Sequence, residues 1–209
     1  MRRKCSRVGF IFILIMMTVA LAANVTYADS GSPQPSNWAK AEIEKAKEIN
    51  LLPIRLQGEY RKNITREEFS EVAVRLYEAL SGKEGVLRNE NPFTDTQSTQ
   101  VRIANNLGIV KGVGGGRFAP DYAISRQEIS VMLYRTLQAA KPEYNYSDKY
   151  EHMFADYDMI SSWAREAVCY LYVMEITNGV GNNRFSPKGN TSREEAIVLA
   201  KRMYEKAVA

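Results

Sequence analysis

Apolar residues recur every three or four positions in several separate stretches of this chain. Phe69, Val72, Ala73, Leu76, Tyr77 and Leu80 form one such stripe, and Trp163, Ala167, Tyr170, Leu171 and Met174 form another. That spacing predicts amphipathic helices, each with one face to bury. Between the stripes lie short segments carrying Gly, an apolar aromatic residue and Pro, which stop a helix and turn the chain. The stretches 81–91 and 138–152 are polar, rich in Gly, Lys and Tyr, and read as linkers.

The pattern repeats. Set 67 residues apart, the segments beginning at Gly108 and Glu175 match without a gap. Gly112/Gly179, Val113/Val180, Gly114/Gly181, Arg117/Arg184, Phe118/Phe185, Pro120/Pro187, Arg126/Arg193 and Arg135/Arg202 all coincide. Upstream, Phe93-Thr94-Asp95 and Phe154-Ala155-Asp156 open the two units. A divergent copy precedes them, with Trp38 thirteen residues before Leu51 as Trp163 stands thirteen before Ile176, but it lacks the Gly-x-Gly and the Phe-x-Asp opening. Each copy reads as helix, loop, helix, and neither helix buries its stripe alone. The expectation is an all-α fold in which three helical hairpins, 36–80, 92–137 and 153–209, pack with approximate threefold symmetry.

Each closing helix starts on the same phrase: Thr65-Arg66-x-Glu68, Ser125-Arg126-x-Glu128 and Ser192-Arg193-x-Glu195. The hydroxyl residue and the glutamate fit a capping box, each satisfying a backbone N–H of the other. Capping leaves the arginines unexplained, because a cation in the first turn faces the positive end of the helix dipole. Two uses suit it. An arginine beside free N–H groups grips a carboxylate or phosphate ligand, or it ties a neighbouring copy through a carboxylate or carbonyl. The loop glycines read as positive-φ turn residues, and without a following Lys-Ser/Thr they make no phosphate loop. Trp38 and Trp163 read most simply as core, with a sugar-stacking platform as the alternative. Cys169 reads as a small buried hydrophobe.

Composition changes this picture once the N-terminus is set aside. Residues 1–28, a basic leader, an apolar run and small residues before Asp29, have the layout of a secretory signal, with an uncleaved membrane anchor as the alternative. A short linker, 29–35, follows. The leader holds four of the 28 basic residues and none of the 24 acidic ones, leaving 24 of each. The mature chain is therefore formally neutral, which removes the case for nucleic acid as a partner. With one histidine, His152, neither a Ser-His-Asp arrangement nor a histidine zinc site assembles, and Asp156-Tyr157-Asp158 lacks the rest of a calcium loop. No catalytic residue, metal or cofactor is expected.

Taken in order, the aromatic-x-Asp opening, the Gly-rich loop ending in Phe-x-Pro and the Thr/Ser-Arg-x-Glu helix start resemble the S-layer homology family. The resemblance implies a non-catalytic anchor in a bacterial cell wall or surface layer. Its partner there is secondary cell-wall polysaccharide, often pyruvylated, held in grooves between repeats. It implies that Arg66, Arg126 and Arg193 contact the glycan, with Gly112 and Gly179 in the adjoining loops. Because the first copy departs from the pattern, the three sites are expected to be unequal. An adaptor for another surface protein and a wall-directed enzyme are the competing readings.

Overall fold

The computed structural model describes residues 34–88, 90–144, 146 and 153–209. The leader 1–28, residues 29–33 of the short linker and His152 lie outside the described residues. Six α-helices and no strand occur among those described: α1 (Lys40–Glu48), α2 (Arg66–Ser81), α3 (Thr99–Asn106), α4 (Arg126–Ala140), α5 (Ser162–Val173) and α6 (Arg193–Val208). The fold is all-α. Helix α4 runs to Ala140, three residues into the stretch read as a linker, and Tyr146 beyond it packs on Tyr134 and Tyr170.

The long helices α2, α4 and α6 meet centrally, and each carries on its flank the short helix of the next copy: α3 on α2, α5 on α4, and α1 on α6. The last pairing closes a ring. The predicted stripe of α2 is buried in full, and Phe69, Leu76, Phe118, Leu133 and Phe185 are among the most enclosed large side chains described. Each such side chain contributes about 1.5–3 kcal/mol on leaving water.

The core reading of the two tryptophans is overturned: Trp38 is 54% and Trp163 57% exposed. The buried arc of α5 is centred on Ala164, Ala167, Val168 and Leu171, itself a three-four spacing. One residue is a 100° step around a helix, so Trp163 falls on the flank of that arc. Cys169 is buried as expected, and burial pushes its thiol up.

The helix starts meet around a pseudo-threefold centre, in one rotational sense. The Arg66 N–H donates to the Tyr122 carbonyl, Arg126 N–H to Gly189, and Arg193 N–H to Lys62, all at 2.9 Å. One residue on, the amides of Glu67, Gln127 and Glu194 donate to Pro120, Pro187 and Tyr60. Each closing helix thus presents first-turn N–H groups, unsatisfied within the helix, to the loop of the next copy.

Candidate functional site

All three capping boxes form. The Glu68 N–H donates to the Thr65 hydroxyl at 3.2 Å while the Thr65 N–H donates to the Glu68 carboxylate at 3.0 Å. The residue between Arg and Glu, overlooked in the sequence, reaches the next copy as well. Glu67 accepts from the Thr96 hydroxyl, Gln127 from the Ser161 N–H, and Glu194 from both the N–H and hydroxyl of Ser36. It anchors the start of the short helix that flanks its own.

The motif arginines run the same way round. Arg66 donates to Glu128 at 3.1 Å, Arg126 to Glu195 at 3.2 Å, and Arg193 to Glu68 at 2.5 Å and Glu59 at 3.3 Å. Each therefore grips the capping glutamate of the next copy. Arg66 also donates to the carbonyls of Phe118 and Lys111 and lies 4.8 Å from the Phe118 ring centroid. All three of its nitrogens are engaged, as are those of Arg193. Arg126 differs, because its Nε is buried with no hydrogen-bond partner among the described residues. A buried donor left so carries a desolvation cost of about 1–3 kcal/mol.

Two equivalent grooves open beside these arginines. The first, 260 Å³, is lined by Arg66, Gly112, Glu128, Arg135 and Trp163 among others. The second, 160 Å³, is lined by Arg126, Gly179, Glu195, Arg202 and Trp38. Each gathers a motif arginine from one copy, a loop glycine and a long helix from the next, and an exposed tryptophan from the third. Arg193 lines neither.

Arg135 and Arg202, nine residues after Arg126 and Arg193, are site residues the motif reading missed, although both fell on the 67-residue match. Arg202 makes one long contact, 3.5 Å to the Ile176 carbonyl. Arg135 has no hydrogen-bond or ion-pair partner among the described residues, and burial pulls its guanidinium below the ordinary arginine value with no carboxylate opposing it. Burial also lowers Arg66, but there Glu128 pushes back. For Arg193 the hydrogen bond to Glu68 outweighs burial, and the value rises. The site thus holds one cation, Arg135, partly desolvated and uncompensated, a condition an incoming anion relieves.

The loops are set by the Phe-x-Asp openings. Asp95 accepts from the amides of Phe118 and Ala119, and Asp156 from those of Phe185 and Ser186, at 2.7–2.8 Å. The Phe118 amide, joined by that of Ala119, holds the Asp95 carboxyl below the aspartate range. Burial raises Asp156, but its two amides outweigh it. Gly179 has the predicted positive φ, 77°, whereas Gly112 does not. Gly112 is required for space: a Cβ there would stand 2.8 Å from the Arg117 carbonyl oxygen and 3.0 Å from the Phe93 ring.

Among the described residues no group of three or more His, Cys, Asp or Glu is placed to hold a metal, and no described helix is long and apolar enough to cross a membrane. The family model for the S-layer homology domain matches residues 92–129 and 154–197. The chain carries S-layer homology repeats over those residues, as its motifs implied. Such a domain is a non-catalytic module that anchors proteins at the cell wall.

Similar proteins are larger. An amylopullulanase of Thermoanaerobacterium thermosulfurigenes is 30% identical over 178 residues, 82% of this chain and 9% of that protein. The exoglucanase XynX of Acetivibrio thermocellus is 28% identical over 193 residues, 90% of this chain and 17% of its own length. An endoglucanase of Bacillus sp. (strain KSM-635) is 31% identical over 108 residues, half of this chain and 11% of the enzyme. The chain therefore spans less than a fifth of the length of each of these relatives.

Proposed function

We propose that this chain is an exported, non-catalytic anchor that binds an anionic secondary cell-wall polysaccharide, with a pyruvyl ketal carboxylate as the charged group, in a bacterial wall. Residues 36–80 then act as a third, divergent repeat. The observation that carries the reading is Arg135, a partly buried guanidinium without a partner among the described residues, in one groove with the exposed Trp163. A carboxylate meets the guanidinium, and the apolar C–H side of a pyranose lies on the indole, an arrangement of one charged and one aromatic contact common to small-ligand sites.

The second groove repeats it with Arg202 and Trp38. Arg66 and Arg126 line their grooves. Arg193 serves closure, which makes the three junctions unequal. The neutral charge of the mature chain favours such a localised recognition over a diffuse basic surface. The enzyme names of the relatives fit a module that holds other proteins near polysaccharide.

Retention on purified walls tests the reading. Binding should fall at least tenfold when the pyruvyl groups are removed, and again in the Arg135→Gln, Arg202→Gln double variant with its helical signal unchanged. Full retention on depyruvylated walls would favour a protein partner and overturn it.

A further inference from the structure

Beside the first groove lies a larger cavity, 520 Å³, that shares Arg66, Val113 and Glu128 with it as a common wall. Its far side includes Asp95, Arg117, Asp121 and Tyr122. The volume falls within the range of small-molecule pockets, about 300–1,000 Å³. Tyr122 is 74% exposed, yet its backbone is fixed, since its carbonyl accepts from the Arg66 N–H at 2.9 Å. The backbone that carries this ring to the cavity is thus fixed by the same bond that joins the first and second copies.

This cavity has no counterpart chemistry at the other two junctions. The shared backbone bonds place Gly189 and Lys62 at the position of Tyr122, and Lys188 and Arg61 at that of Asp121. Among the three loops, only this one has an aromatic residue and a carboxylate at those two positions. The cavity also disfavours an anion. Three carboxylates, Asp95, Asp121 and Glu128, line it against two guanidiniums, Arg66 and Arg117. Arg66 is spent on Glu128, both Asp95 oxygens already accept backbone amides, and Asp121 has no ion pair among the described residues. An aromatic platform with carboxylate acceptors suits an uncharged polyol, whose hydroxyls donate and whose ring C–H face stacks.

We propose that this cavity is an extension subsite for an uncharged pyranose of the same glycan, next to the residue whose carboxylate lies in the first groove. The inference rests on the anionic-glycan reading and adds to it a second contact made by Tyr122 and Asp121.

Titration calorimetry on the full chain tests it with two ligands: a pyruvylated monosaccharide glycoside, and a fragment with two uncharged pyranoses attached to that residue. The natural protein should bind the fragment about tenfold more tightly than the monosaccharide. Tyr122→Ala should remove that gain and leave monosaccharide affinity unchanged, Asp121→Asn should remove part of it, and Lys188→Ala should change neither. Thermal melts of Tyr122→Ala confirm folding, which an exposed side chain should not disturb. Equal affinity of the natural protein for both ligands, or equal weakening of both by Tyr122→Ala, would overturn the subsite alone. Failure of the natural protein to bind either ligand would overturn the anionic-glycan reading, and the subsite with it.

Discussion

The junction between the first and second copies and the junction between the third and first use the same parts, but they end in different electrostatic states. At the first, Arg66 is held by Glu128 and two loop carbonyls, and the nearby Arg135 has no partner among the described residues. At the other, Arg193 is wrapped by Glu68 and Glu59, and Arg75, at the position of Arg135, bonds the Asn50 side chain at 2.9 Å and pairs with Glu71. The flanking helix differs too: α5 brings Trp163 to the first groove, while α3 carries no aromatic residue. The same fold thus makes a groove where Arg135 is left over and a clasp where Arg193 and Arg75 are both spent. What separates them is the loop: without the Gly-x-Gly, the first copy supplies Glu59 where the second supplies the Phe118 and Lys111 carbonyls.

The sharpest way to break the clasp is Arg193→Ala. It strands Glu68, which is as enclosed as its partner, and removal of one member of such a pair costs about 3–5 kcal/mol. Arg126→Ala, facing a Glu195 that is 36% exposed, should cost only about 1–2 kcal/mol. Urea unfolding of the two variants measures the difference, and equal losses would mean the junctions are alike. Next comes Arg135→Gln, which should weaken an anionic wall glycan by about 30-fold through loss of a charge-assisted contact. Arg75→Gln, in the same helix position at the clasp, should leave affinity unchanged.

Acid gives a gentler probe. Burial raises Glu68, but Arg193 and the Thr65 amide outweigh it, so its folded value lies below the ordinary carboxylate range. Asp95 and Asp156 are depressed as well. Their contribution is present above the unfolded values, near 4, and is lost as pH falls through the folded ones. Melting temperature should therefore drop below about pH 4. The drop should be shallower in Arg193→Ala, where Glu68 has already lost its partner, and an unchanged slope would remove Glu68 from the account.

Much of this was legible in the chain. The capping boxes follow from local chemistry, the α2 stripe from helical periodicity, and the threefold plan from the 67-residue match and its fainter first copy. The register of Arg66, Arg126 and Arg193 marked the three helix starts that join the copies at the centre. Their targets were not legible, because each arginine reaches sideways to a residue more than 60 positions away, and only the closed ring says which carboxylate waits there. The tryptophans misled for a related reason: a stripe of three-four spacing admits two arcs one residue apart, and packing against α4 chose the one that leaves Trp163 outside. Arg135 and Arg202 were visible as matches but carried no local oddity. Their significance lies in what the folded chain fails to place beside them.

The ring formed by α1 closing on α6 is, in assembly terms, a cyclic trimer written on one strand. Three separate subunits would have to carry every substitution three times and would come apart on dilution. Here the copies stay together at any concentration, and each position is free to vary once. Tyr122, Gly189 and Lys62 hold the same backbone bond with three different side chains, so one scaffold can keep its symmetry for folding while assigning its three corners different work.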